Sequence, residues 1–437
     1  MLRRTLLQSL AASALAPLLP AAKRPPNLVF FLSDDMGYGD LGCYGSRTIR
    51  TPHIDSLARD GVRFTGCYAN GPVCTPTRTA FLTGRYQQRF GRDLEWALSP
   101  PNNKTAGLSP ADSVLPAALK RAGYRSGIFG KWHVGWNPEY RPLRHGFDES
   151  FGILLGNADM YSHEYHDGSN DLWENDQPIE EDGYLTEMIA ERAARFVDRN
   201  AANPFFLYVP FNAVHWPFQE PGRPDTVRNS ETWRDGLRSE YVGMTESMDE
   251  AVGRVLAALK RNGLEENTLV IFTNDNGGER LSDSGPLFHV KGTLFEGGIR
   301  VPALARWPGR IPGGTTTRQV CATMDFTASL LSAAGAQPPD GVQLDGRDLL
   351  PVITGQRDPF ERTLCWRIDN PGRRQLAARR GKWKYINESG DGRGFPELLH
   401  DVEAEPSERR NLFYDNQDIA RELRQTLLAW EREVEPR

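Results

Sequence analysis

The chain predicts an α/β fold: a mostly parallel central sheet sandwiched by helices, followed by a smaller C-terminal α+β subdomain. Three observations carry that reading. Short apolar runs alternate with longer amphipathic ones, the rhythm of successive βαβ units. Four of the short runs are apolar and rich in β-branched or aromatic residues, as strands buried on both faces are. After about Gly335 the texture changes, with Pro338-Pro339 and several glycines leading into shorter strands and one closing helix. A length of 437 residues admits one large α/β domain with an appendix, and 39% hydrophobic against 25% charged residues excludes wholesale disorder.

Residues 1–24 read as a leader. Arg3-Arg4-Thr5-Leu6-Leu7 precede a short apolar run ending in the Ala-rich segment before Lys23, a signal-peptide layout too short to be a stable membrane anchor. The paired arginines resemble a twin-arginine export signal, which carries proteins out already folded. Export, to the periplasm or beyond, is therefore expected. The main domain is expected over residues 25–335 and the subdomain over 336–437.

The strands of the main domain are Asn27 to Leu32, Ser126 to Phe129, Phe205 to Val209 and Thr268 to Thr273. The clearest helix spans Glu240 to Asn262, with Tyr241, Met244, Met248, Val252, Val255, Leu256 and Leu259 on one face and Gly263 as its stop. Others are expected near Ser113 to Ala122 and Thr186 to Arg199. In the tail, Gln375 to Arg379 and Trp383 to Ile386 read as strands, and Ile419, Leu423, Leu427, Trp430 and Val434 recur at helical spacing.

Lys plus Arg number 52 against 57 for Asp plus Glu, a net charge of -5, so no nucleic-acid partner is expected and an anionic substrate must be attracted locally. The five cysteines, Cys43, Cys67, Cys74, Cys321 and Cys365, are too few for a disulfide scaffold and contain no CxxC pair.

Ligands of open α/β sheets bind beyond the carboxyl ends of the strands. The predicted strands deliver Asp34-Asp35, Lys131 and His133, His215, and Asp275-Asn276 to one such rim. Asp34, Asp35, Asp275 and Asn276 offer only hard oxygen donors, suited to calcium or magnesium and poorly suited to zinc or copper. Either pair alone would more simply be a helix cap or an Asx-turn. Lys131, His133, His215 and Lys291 around the same rim change the balance, because a cation flanked by lysines and imidazoles suits a sulfate or phosphate ester. Cys74 stands where a helix is expected to begin, with Pro76 in its first turn and Gly84 at its stop, and a helix N-terminus lowers a thiol's pKa. A small apolar cysteine packed under a helix is the plainer alternative.

Cys74-Thr75-Pro76-Thr77-Arg78, extended by Thr83-Gly84-Arg85, resembles the Cys-x-Pro-x-Arg signature of the type I, formylglycine-dependent sulfatases of the alkaline phosphatase-like superfamily. Gly130-Lys131-Trp132-His133, Thr273-Asn274-Asp275-Asn276-Gly277 and Lys291-Gly292-Thr293-Leu294-Phe295-Glu296-Gly297-Gly298 resemble the family too. So do Gly381-Lys382-Trp383-Lys384 and the stretch from Glu405-Pro406 to Asn411-Leu412 in the tail, so the likeness runs over nearly the whole mature chain.

The resemblance implies that Cys74 is oxidised to Cα-formylglycine by a formylglycine-generating or sulfatase-maturating enzyme. It implies calcium held by Asp34, Asp35, Asp275 and Asn276 with residue 74 completing the site; oxygen ligands alone admit magnesium as well. Arg78 and Lys131 match the residues that hold the formylglycine hydrate. His133 matches the group that removes the hemiacetal proton, and His215 with Lys291 the pair that binds sulfate and assists the departing alcohol. Of the hydrate's two hydroxyls, one attacks sulfur and the other then expels sulfate.

The loop Asn157 to Asn175, aromatic and rich in hydrogen-bonding groups, resembles that of bacterial carbohydrate sulfatases similar to N-acetylgalactosamine-6-sulfatase. Tyr161, His163, His166 and Asp167 are its candidate contacts to a sulfated carbohydrate. Two alternatives stand beside this reading: a phosphonate monoester or phosphodiester hydrolase of the same superfamily, and a sulfatase-like binding protein whose cysteine is never modified.

Overall fold

The computed structural model describes residues 24–100, 103, 105–224, 231–370, 373–389 and 397–435. Residues 1–23 of the expected leader, Arg3 and Arg4 among them, lie outside the described residues. In chain order the strands are β1 (Asn27–Ser33), β2 (Val62–Phe64), β3 (Cys67–Tyr68), β4 (Arg125–Phe129), β5 (Glu149–Gly152), β6 (Trp173–Glu174), β7 (Gln177–Pro178) and β8 (Phe205–Pro210). There follow β9 (Thr268–Asn274), β10 (Ala303–Arg306), β11 (Thr315–Thr317), β12 (Cys321–Ala322), β13 (Thr363–Asn370), β14 (Arg373–Arg380), β15 (Trp383–Ser389) and β16 (Glu397–Asp401). The helices are α1 (Pro52–Arg59), α2 (Cys74–Thr83), α3 (Leu115–Arg121), α4 (Leu185–Arg199), α5 (Arg238–Arg261), α6 (Glu296–Ile299), α7 (Thr323–Ala334), α8 (Leu350–Ile353) and α9 (Gln417–Val434).

Ten strands form the main sheet in the order β11-β2-β10-β9-β1-β8-β4-β5-β6-β7. The four strands expected from sequence are its centre: β9, β1, β8 and β4 run parallel, with Leu28 opposite both Leu269 and Phe206. Every residue of β1 is buried, because alternate side chains enter different cores. Val29 and Phe31 pack with side chains of α1, α4 and α5, whereas Leu28, Phe30 and Leu32 meet those of α2, α3 and α7. That is the sandwich the apolar runs predict. The sheet is antiparallel where β10 joins β9 and β2 and from β5 through the β6–β7 hairpin.

A second, four-stranded antiparallel sheet runs β13-β14-β15-β16. It shares an apolar core with α9, through Leu423, Leu427, Trp430 and Val434, and with Tyr68, Ala80, Leu294 and Met324 of the main body. Among the described residues, no helix is long and apolar enough to cross a membrane.

Candidate active site

Backbone hydrogen bonds staple the strand ends together beyond the sheet. Asp34 N–H donates to the carbonyl of Ala213 at 3.0 Å, Val214 N–H to that of Asp34 at 2.7 Å, and Asp275 N–H to that of Ser33 at 3.2 Å. This brings Asp34, Asp35, Asp275 and Asn276 together, each at most 1% exposed. Asp35 (φ 60) and His133 (φ 56) adopt the left-handed backbone, a conformation that concentrates at functional sites because surrounding structure must hold it.

The fourth wall is α2. Val73 enters it extended, Cys74 is its first residue, and Gly84 ends it at φ 66. All ten residues are buried, with Phe81 stacked on Phe30 of β1 at 4.0 Å between ring centroids. Cys74 Sγ lies 3.3 Å from Asp34 Oδ1 and 3.3 Å from Lys131 Nζ, and Lys131 Nζ also donates to Asp34 Oδ2. One turn further, Arg78 donates to Asp275 Oδ2 from Nη2 at 2.8 Å and from Nε at 3.2 Å, and to the Lys131 carbonyl at 2.8 Å. Lys291 Nζ reaches Asp35 Oδ2 at 2.6 Å and His215 Nε2 reaches it at 3.5 Å. Asp34, Asp35, Cys74 and His215 each offer a ligand atom within 4.8 Å of the others.

Electrostatics sorts these groups. Burial, then the Asp275 carboxylate, push Asp34 up to about 7 against the pull of Lys131. Burial acts the same way on Asp35, but the ammonium of Lys291, with that of Lys131, outweighs it and holds that carboxyl well below the usual range. Burial lowers both imidazoles, helped by Lys131 at His133 and by Lys291 at His215, so both are neutral. His133 Nε2–H donates to the Leu98 carbonyl at 2.8 Å, leaving the buried Nδ1 lone pair without a partner. The Cys74 thiol differs from the sequence-based expectation. Burial, Asp275 and Asp34 push its pKa well above the ordinary value, because a helix N-terminus contributes at most about 2 kcal/mol and a thiolate here would be buried among carboxylates.

The site opens into a cavity of about 660 Å³ lined by Cys74, His133, His215 and Lys291. Of the four candidate sugar contacts, His166 lines it, with its ring against Tyr165. The other three are engaged elsewhere. Tyr161 OH donates to the Glu220 carbonyl at 2.8 Å, the buried His163 faces the Gly183 carbonyl at 3.1 Å, and the exposed Asp167 accepts from Ser169 within its own turn. The aperiodic loop pattern that suggested them fits a turn that closes on itself equally well. Sequence reasoning missed Trp96, Trp216, Trp233 and Glu279, which also line the cavity. Trp216 had a signal in its adjacency to His215; Trp96 and Trp233 lie in segments with no period or motif.

The sulfatase profile matches residues 26–336, and one described as N-sulphoglucosamine sulphohydrolase, C-terminal, matches 287–433. N-acetylgalactosamine-6-sulfatase of Rattus norvegicus is 36% identical over 369 residues, 78% of this chain and 68% of the relative. Steryl-sulfatase of Mus musculus is 32% identical over 461 residues, covering 84% and 72%. The crystal structure of Ps i-CgsB in complex with k-i-k-neocarrahexaose superposes with a TM-score of 0.84 at 29% identity over 93% of both chains.

Proposed function

Because the chain belongs to the sulfatase family of sulfuric ester hydrolases, we propose that it cleaves the sulfate ester of a carbohydrate. Residue 74 would act as Cα-formylglycine, with a hard divalent cation, calcium before magnesium, at Asp34, Asp35, Asp275 and Asn276. The observation that carries this reading is Cys74 Sγ, in the lining of the cavity, lying 3.3 Å from both Asp34 Oδ1 and Lys131 Nζ. The donor set fits the cation: all oxygens, with Asn276 Oδ1 buried and without a hydrogen-bond donor. Bound there, the cation would supply Lewis-acid stabilisation of charged oxygens.

A hydrated aldehyde at residue 74 would supply the second hydroxyl that serine and cysteine lack. The chain's own groups do the rest. Lys131 and Arg78 place positive charge beside residue 74 and across the carboxylates. His133, with Nε2–H tied to Leu98, presents Nδ1 as the neutral base. Lys291 offers an ammonium, and His215 an imidazole, toward the sulfate and the departing oxygen. At 1% exposure, Cys74 is closed to an enzyme acting on the folded chain, which supports modification by a formylglycine-generating or sulfatase-maturating partner before folding is complete. Relatives named N-acetylgalactosamine-6-sulfatase and the aromatic cavity wall support a sugar as the alcohol. Export to the periplasm or beyond rests on the leader.

Mass measurement of the peptide spanning Cys74, joined to kinetics on defined sulfated mono- and disaccharides, tests the proposal. The expected result is aldehyde at position 74 in proportion to turnover, with sulfated sugars preferred. Full turnover by a preparation with intact thiol, or faster cleavage of an aryl phosphodiester than of an aryl sulfate, would overturn it.

A further inference from the structure

Lys291 sits in a segment without helix or strand between the end of β9 at Asn274 and the start of α6 at Glu296, so contacts from outside the segment must fix where its ammonium points. On the active-site side Lys291 Nζ donates to Asp35 Oδ2 at 2.6 Å and Gly292 N–H to the Pro72 carbonyl at 2.8 Å, while within the segment Lys291 N–H donates to the Gly278 carbonyl at 3.0 Å. The rest come from the C-terminal sheet and the turn after it. Arg373 Nη1 donates to the Gly292 carbonyl at 2.8 Å. Leu294 N–H donates to Gln375 Oε1 at 2.8 Å, and Glu296 N–H to Glu408 Oε2 at 2.6 Å. Gln375 is fully buried, and its amide orientation is set by donation from Nε2 to Glu388 Oε1 at 2.7 Å. Lys384, also fully buried, bridges Glu296 and Glu408 at 2.9 and 3.0 Å.

The geometry points to a task for the C-terminal sheet beyond covering apolar surface: Gln375 and Arg373 are positioning residues for Lys291. Alternate backbone groups of 292–296 are held by side chains of this sheet and its following turn, so the sheet acts as a template for the segment. Removing Gln375 Oε1 leaves a buried N–H unpaired and frees the segment beside Lys291. The inference rests on the reading that Lys291 binds sulfate and assists the departing alcohol.

The test compares kcat/KM on an aryl sulfate for Gln375→Ala and Arg373→Ala, each in the Lys291 and the Lys291→Ala background. Each change is expected to lower kcat/KM about tenfold with Lys291 present, and less than twofold once Lys291 is gone. An equal loss in both backgrounds, or no loss with Lys291 present, overturns it. Arg373 is exposed, so its variant folds and decides the matter even where Gln375→Ala does not. If the unsubstituted protein turns over no aryl sulfate, the functional reading has failed, and amide exchange of 287–299 remains. Faster exchange there in either variant, with β1 and β9 unchanged, supports positioning; unchanged exchange refutes it.

Discussion

Cys74 shows how a residue legible in its motif can be misjudged in its chemistry. The helix it opens is readable from Pro76 and Gly84, and a helix N-terminus argues for a reactive thiolate. Burial reverses the argument, joined by the carboxylates of Asp275, some two hundred residues later, and Asp34, forty earlier, and no local spacing announces them. His145 tells a similar story away from the site. It is 1% exposed, packs edge-on against Trp132 at 4.8 Å between ring centroids, and faces only the Tyr140 carbonyl at 3.2 Å. Burial drops its pKa from 6.5 to about 4. The fold therefore favours neutral imidazole. The associated stability is present above pH 6.5, is lost as pH falls from 6.5 to 4, and amounts to roughly 3 kcal/mol. Denaturant unfolding of His145→Gln at pH 7 and pH 4 is expected to lose less stability than the unsubstituted chain by about that amount. Superimposable pH dependences would show that the imidazole does not titrate between those limits.

At the scale of elements, β1, β8 and β9 are legible because they are buried on both faces and carry long apolar runs, and β4 by its buried end at Ile128 and Phe129 after the exposed Arg125. The strands of two to four residues are too short for alternation to register. In β13 the sequence Thr-Leu-Cys-Trp-Arg-Ile-Asp-Asn hides a strand behind Arg367, a charge tolerated because Glu95 receives it bidentately at 2.6 and 2.9 Å. The turn leaving β4 carries the most consequence for the site. Gly130 has φ 135, and a Cβ there would stand 1.9 Å from the Pro210 carbonyl oxygen, the same oxygen that accepts Lys131 N–H at 2.6 Å. Gly130→Ala thus combines backbone strain of about 1–3 kcal/mol with overpacking of similar size, and both displace Lys131. The melting temperature and kcat should fall together. Gly123→Ala, at φ 84 with nothing within 4 Å, meets strain without a clash and should lose less stability while keeping its activity. Equal behaviour of the two variants would mean that the β4 turn does not place Lys131.

Across the whole molecule, the site does not share the negative sign of the chain. The net charge of -5 offers no pull on an anion, and at about 8 Å the Debye length screens most of the surface from the cavity. Within the cluster, the carboxyls of Asp34, Asp35 and Asp275 are faced by Arg78, Lys131 and Lys291, so with Asp34 raised to about 7 the cluster carries no net negative charge. This balance was not legible from the motifs, which supply the residue types but not the pairing of Arg78 with a carboxylate some two hundred residues away. A divalent cation added to it leaves two positive charges, the sign needed to bind a sulfate ester and stabilise negative charge on the departing oxygen. It also relieves the repulsion from Asp275 that, after burial, lifts Asp34. A cation that binds only the folded chain stabilises it by about 2.7 kcal/mol at a hundred times its dissociation constant. Chelator should therefore lower the melting temperature by several degrees, with calcium restoring it more fully than magnesium. In Asn276→Ala, which loses the buried oxygen lacking a donor, the gap between chelator and calcium should shrink. A melting temperature indifferent to chelator and calcium alike would mean that the carboxylates are held by Arg78, Lys131 and Lys291 alone, and that no resident cation takes part in the site.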